Sequence, residues 1–179
     1  RIIAHDAEKP RLAPIFDRLR RAEATNVEVV ARLRELDDLK EACDLVLVDA
    51  PCTGSGTWRR RPDAKWRLSQ RQLDVRLNEQ RTILDQAAGF VQPGGRLAYI
   101  TCSVFEAENG AQVAAFLERN PDFAPVDHRP LWEEPFPGQS IKARFHETAA
   151  LMLSPPKSRP DGSFFPLLAR RARFRWHPR

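Results

Sequence analysis

The chain has 179 residues, 42% of them hydrophobic, and a formal net charge of +5 from 29 Lys and Arg against 24 Asp and Glu. That length suits one domain with a sizeable core and is too short to argue for two, while the absence of any apolar run near the roughly 20 residues of a membrane span, and of a visible signal peptide, points to a soluble cytoplasmic protein with no membrane partner. Three cysteines without Cys-x-x-Cys spacing, and His5, His128, His146 and His177 in no ligand or triad pattern, argue against a disulfide framework or a metal site, and the basic excess is a weak sign of a polyanionic partner.

In chain order, Ile2 to Ala4 reads as a short buried strand ending at Asp6. An acidic residue at that point of a nucleoside-binding α/β fold accepts hydrogen bonds from ribose hydroxyls; the plainer reading is that Asp6 starts a turn. Leu12, Ile15, Phe16 and Leu19 recur at helical spacing and predict an amphipathic helix from Pro10 to Glu23 with its apolar stripe in the core. Asn26 to Leu33 predicts a strand built on Val27-Glu28-Val29-Val30. Asp44 to Asp49 is a nearly continuous apolar run, as expected of a strand covered on both faces, and Cys43 before it reads as a buried structural cysteine.

That strand leads into Asp49-Ala50-Pro51-Cys52-Thr53-Gly54-Ser55-Gly56, where Gly54 and Gly56 allow a sharp turn and close backbone approach. The following loop interleaves Trp58 and Trp66 with Arg59, Arg60, Arg61, Lys65 and Arg67. Arginine forks engage phosphates and indoles stack on unpaired bases, so the loop reads as the wall of an RNA groove; the competing reading is a solvated loop with its tryptophans packed inward. Leu73, Leu77, Gln80, Leu84, Ala87 and Val91 trace one nearly apolar seam of a long helix, ended by Pro93-Gly94-Gly95. Arg96 to Thr101 is the next strand, and it delivers Cys102 to the sheet edge that holds Cys52. A helix from Glu106 to Arg119 buries Val113, Phe116 and Leu117 and stops at Asn120-Pro121. Asp122 to Thr148 has no sustained period and reads as an irregular excursion. Ala149 to Ser154 and Ser163 to Phe174 predict a closing strand pair, with a break at Pro166, before an arginine-rich tail.

Two thiols at carboxyl ends of strands in a parallel α/β sheet lie where such sheets bind ligands. A pyrimidine carbon 5 is a poor nucleophile until a thiolate adds at carbon 6, and a second group must then help remove the carbon-5 proton and expel the thiol. The motif around Cys52, the run Trp58-Arg59-Arg60-Arg61-Pro62-Asp63, and Pro93-Gly94-Gly95-Arg96-Leu97-Ala98-Tyr99-Ile100-Thr101-Cys102-Ser103 with Glu108-Asn109 resemble the Fmu/Sun family of S-adenosylmethionine-dependent RNA cytosine-5 methyltransferases.

The resemblance implies an α/β fold, the class I (Rossmann-like) methyltransferase sheet with helices on both faces, and 16S ribosomal RNA as partner. It makes Cys102 the nucleophile, Cys52 the residue that assists product release, and Asp49 the group that hydrogen-bonds the base. It places Asp6, Asp49 and Pro51 on S-adenosylmethionine. The chain departs from the family pattern at Ala31-Arg32-Leu33-Arg34-Glu35, where an acidic adenine contact is expected. Upstream, no strand with a glycine-rich turn precedes Arg1, and the only methionine is Met152. The expectation is therefore a single catalytic domain, residues 1–179, truncated at its N-terminus, whose first strand, cofactor loop and upstream RNA-binding domain lie outside the chain. The alternative is a catalytically incompetent fragment or RNA-binding module that keeps the substrate-side half of the site. Amino-group methylation is disfavoured because Pro51-Cys52 stands where that chemistry uses Pro-Pro-aromatic.

Overall fold

In a computed structural model that describes residues 1–133, 144–145, 150–153 and 161–172, the chain divides into Arg1–Ala42 and Cys43–Arg179. In the first unit, β1 (Ile2–His5) leads through helices α1 (Lys9–Leu12) and α2 (Ile15–Arg21) to β2 (Val27–Val30), which pairs with β1 in parallel, Ile2 opposite Val27. The single helix expected from Pro10 to Glu23 is broken at Ala13-Pro14, because Pro14 has no N–H to continue the first helix and sits at the start of the second. Its apolar stripe is not all core: Leu12 is buried, but Phe16 is 58% exposed. The strand β2 is also shorter than expected, since a 3-10 segment, Leu33–Leu39, begins where the strand was to end.

In the second unit β3 (Cys43–Asp49) connects through α3 (Asp63–Arg67) and α4 (Gln70–Ala88) to β4 (Val91–Ile100), and β3 and β4 run parallel. There follow α5 (Gly110–Arg119), β5 (Phe123–Pro125), α6 (His128–Glu133), β6 (Arg144–Phe145), β7 (Leu151–Leu153), β8 (Ser163–Phe165) and β9 (Leu167–Arg170). One sheet has the order β3-β4-β9-β5, with β9 antiparallel to both neighbours; β6-β7-β8 form a second, antiparallel sheet. The expected closing pair is present, Leu151 opposite Phe165, and the break at Pro166 divides β8 from β9. Phe123–Pro125 and His128–Glu133 are regular elements where an irregular excursion was expected, because β5 finds a partner in β9, a pairing that no local periodicity announces. Residues 134–143 and 146–148 of that excursion, residue 149, residues 154–160 and the tail 173–179 lie outside the described residues.

Helix α4 opens with a capping box, in which Gln72 N donates to Ser69 Oγ and Ser69 N to Gln72 Oε1. It stops at Gly89, not at Pro93-Gly94-Gly95. Those residues bulge out of β4: Cys43 pairs with Val91 and Leu45 with Arg96, so Gln92 to Gly95 face only Asp44. Val91 is thus the first residue of a strand and not the last of the helical seam. The core is formed by Leu84, Val91, Leu97, Tyr99, Val113, Phe116, Phe164 and Leu168, all fully buried, with Phe116 and Phe123 in edge contact at 5.3 Å. Val48 joins this core, whereas Leu45 and Leu47 are 55% and 59% exposed. So β3, at an edge of its sheet, is covered on one face by the described residues of its unit, not on both.

Candidate active site

The register of β3 and β4 sets the site. Asp49 is opposite Ile100, Ala50 N donates to Ile100 O at 2.9 Å, and both chains leave the sheet at the same end. The backbones stay stitched beyond the strands, with Gly56 N donating to Cys102 O at 2.9 Å and Gly162 N to Gly56 O at 3.0 Å. Gly54 has φ 68°, and a Cβ on Gly56 would strike the Gly162 carbonyl and lie 2.8 Å from Cys102 O, so both positions need glycine. The result is that Cys52 Sγ and Cys102 Sγ, fifty residues apart in sequence, are 3.3 Å apart and half-buried.

Two thiols this close cannot both ionise freely. The Cys102 thiol is pushed down to about 7, chiefly by the hydrogen bond from Cys52, against burial and the nearby Asp49 and Glu108 carboxylates, which push it up. Cys52 is pushed far up, first by that same hydrogen bond and then by burial, so it holds its proton and donates it to the Cys102 sulfur. Beneath them the Tyr99 phenol, raised first by burial and then by the Glu108 charge, donates to Glu108 O at 2.8 Å.

A buried polar layer supports the pair. Glu108 is fully buried and accepts from Thr53 N at 2.8 Å, Thr53 Oγ1 at 2.5 Å, Gln80 Nε2 at 3.0 Å and Ser103 Oγ at 2.5 Å. Asn109 Nδ2 donates to Ser103 O, and Thr101 Oγ1 to Asn109 Oδ1. Sequence reasoning gave none of these groups a role. Gln80 was visible only as the polar member of an otherwise apolar seam, and Glu108-Asn109 only as part of a family motif.

Of the other expected site residues, Asp49 is exposed at the end of β3, and the carbonyl of half-buried Pro51 accepts from Gln80 Nε2 at 2.9 Å. Asp6 is half-buried after β1 in the other unit, where its Oδ1 accepts from Glu8 N at 2.8 Å, so it starts a turn. In the basic segment one tryptophan packs inward and the other does not. Trp58 packs edge-on against Phe105 at 5.6 Å, whereas Trp66 is 80% exposed with Lys65 Nζ 5.3 Å from its ring. Arg59, Arg60, Arg61, Lys65 and Arg67 are exposed. Arg60 is tied to Asp161, its Nε donating to Oδ2 at 2.7 Å, which holds that carboxyl below its ordinary value.

Residues 1–169 match the family model described as 16S rRNA methyltransferase RsmB/F. Among curated relatives, the ribosomal RNA small subunit methyltransferase B of Salmonella arizonae is 39% identical over 125 residues, 69% of this chain and 29% of its own length. The protein of the same name from Vibrio cholerae is 37% identical over 142 residues, 78% of this chain and 32% of its own. The chain therefore spans about three tenths of the length of these relatives. Among solved structures, that titled PH0851 superposes with a TM-score of 0.80 at 32% identity, covering 94% of this chain and 36% of that one. NSun6 from Pyrococcus horikoshii, solved with SFG, gives 0.75 at 26% identity, covering 94% and 41%. The sheet and its helices are those of the mixed α/β methyltransferase fold, and the chain belongs to the 16S rRNA methyltransferase RsmB/F family.

Proposed function

We propose that the chain carries the substrate-side chemistry of an S-adenosylmethionine-dependent methylation of carbon 5 of a cytidine in 16S ribosomal RNA, by way of a covalent adduct on Cys102. The observation that carries this reading is the 3.3 Å contact between Cys52 and Cys102 at the carboxyl ends of adjacent parallel strands, in a chain of this family. When bound, S-adenosylmethionine supplies a methyl group from its sulfonium. The exposed Asp49 carboxylate and the half-buried Asp6 carboxylate fit the amino and hydroxyl donors of nucleosides, whereas the first glycine of the chain is Gly54, so no glycine-rich turn follows β1 or β2. Asp49, Asp6 and Pro51 are the residues that would hold the cofactor or the base.

A base buried in a stack cannot present carbon 6 to a thiol, so the target cytidine is swung out. Cys102 Sγ, with its thiol near neutrality, adds to carbon 6, and Asp49 accepts from the amino edge of the base and, by carrying or sharing a proton, donates to its ring nitrogen. Carbon 5 of the resulting enamine takes the methyl group. Cys102 is now a neutral thioether, so the hydrogen bond to its thiolate and that sulfur's charge, which both raised Cys52, are relieved, and Cys52 gives up its proton to solvent more readily than in the free pair. Cys52 then removes the carbon-5 proton, and the electrons that return to the ring expel Cys102. The basic loop, Trp58 to Arg67, borders the strand ends and is proposed to grip the flanking RNA.

Cys102→Ala should abolish methylation, and Cys52→Ala should accumulate a protein–RNA adduct that survives a denaturing gel. Retained activity in Cys102→Ala, or an exchange of the two phenotypes, overturns the roles assigned.

A further inference from the structure

We propose that Glu108 is a positioning residue for this reaction: its buried carboxylate fastens the turn after Cys52 to the turn after Cys102 and so keeps the two sulfurs in contact. The inference rests on the reaction proposed above for its catalytic meaning, but the clamp itself is a matter of geometry.

A carboxylate out of water is costly unless its oxygens are well supplied with donors. Glu108 has four, and three of them come from the residues that follow the two cysteines: Thr53, through its N–H and hydroxyl, and Ser103, through its hydroxyl. The fourth, Gln80 Nε2, also donates to Pro51 O, which anchors both turns to the long helix α4. Each hydroxyl has one proton, and this fixes the direction of the network. Ser103 gives its proton to Glu108, so at the 2.9 Å contact between the two serines Ser55 must be the donor, and Ser55 Oγ in turn accepts from Val104 N at 2.9 Å. The Gln80 amide is fixed too, since both of its Nε2 partners are acceptors, and its Oε1 is buried with no partner among the described residues. An amide oriented at the expense of its own oxygen marks a local rule broken for the site. No hydrogen bond joins Glu108 to either sulfur, so it acts through the turns and touches no reacting atom.

The test is Glu108→Gln, which keeps the size of the side chain but turns an acceptor into a donor facing Thr53 and Ser103. Alkylation of each cysteine by iodoacetamide is followed by peptide mass spectrometry as a function of pH, alongside kcat and KM for methyl transfer. The charged and titratable groups around the pair are Asp49, Glu108, Tyr99 and Arg60. Losing the Glu108 charge lowers the Cys102 thiol, while losing the Cys52 hydrogen bond raises it, and the hydrogen bond is the larger influence. A working clamp therefore predicts that the Cys102 midpoint rises from about 7 toward the free-thiol range of about 8.5. Alkylation at neutral pH should then slow roughly tenfold, with Cys43 unaffected, and kcat should fall at least as much with KM little changed. A midpoint that falls would mean that Glu108 acts only as a charge, and an unmoved midpoint with lowered thermal stability would mean that it acts only in packing; either result overturns the proposal. If Glu108→Gln fails to fold, Ser103→Ala removes a single hydroxyl of the clamp and must move the midpoint in the same direction. The thiol readout needs no RNA, so wild-type protein that shows the Cys102 and Glu108 behaviour without methylating RNA would sink the proposed reaction and leave the clamp standing.

Discussion

At the scale of the residue, the site is a proton held between two sulfurs. Because Cys102 is depressed to about 7 chiefly by the hydrogen bond from Cys52, about half of it is thiolate at neutral pH, against a few per cent of an ordinary cysteine. Methylation should therefore rise with pH through about 7 and flatten above it, as measured by kcat/KM. Cys52→Ala should move the Cys102 alkylation midpoint upward and slow its reaction with iodoacetamide at neutral pH roughly tenfold; an unchanged midpoint would show that the backbone hydrogen bond at Cys102, and not Cys52, sets the acidity. The sequence placed both sulfurs at one sheet edge, because an apolar run followed by a polar turn is a local signal. It could not reveal that Glu108 joins the two turns, since that carboxylate sits 55 residues from Thr53 and its meaning depends on the register of β3 against β4.

Among the elements, the turns hold the most information and the helix ends the least. Gly54 and Gly56 were legible because a left-handed φ and a close backbone approach leave few alternatives to glycine. Gly56→Ala would force a methyl group against the Cys102 and Gly162 carbonyls and should destabilise the protein by about 1–3 kcal/mol, read as a lowered denaturant midpoint with unchanged slope. A variant as stable as the parent would mean that the Cys102 and Gly162 backbones yield cheaply. The end of α4 was misread for a physical reason: Val91 continues the apolar spacing of the helix by coincidence, since it is already in β4 and fully buried there. Pro14 was a stop signal inside an apolar helical pattern, and the pattern concealed it. The pairing of β5 with β9 joins segments more than forty residues apart, and a short strand of that kind has no periodicity to announce it.

For the whole molecule, part of the positive charge is gathered in the exposed Arg59, Arg60 and Arg61 and in Lys65 and Arg67 of the adjoining helix α3. Contacts to phosphates release counterions, so RNA affinity should fall steeply with salt. Arg61→Ala should weaken binding of unrelated RNA sequences alike and lessen the slope of log K against log salt by roughly 0.7 to 1; an unaltered slope would remove Arg61 from the interface. The division at Cys43 and the uncovered face of Leu45 and Leu47 were not legible, since a strand covered on one face by its own unit and one covered on both can carry the same apolar run. The adjacency of the two sulfurs has a further consequence. Sulfurs in contact need lose only two electrons and two protons to become a cystine, and a peroxide arriving at the Cys102 thiolate would find Cys52 already in place to complete the bond. In that oxidised form neither sulfur can attack a base, so the proposed reaction requires the pair to be kept reduced.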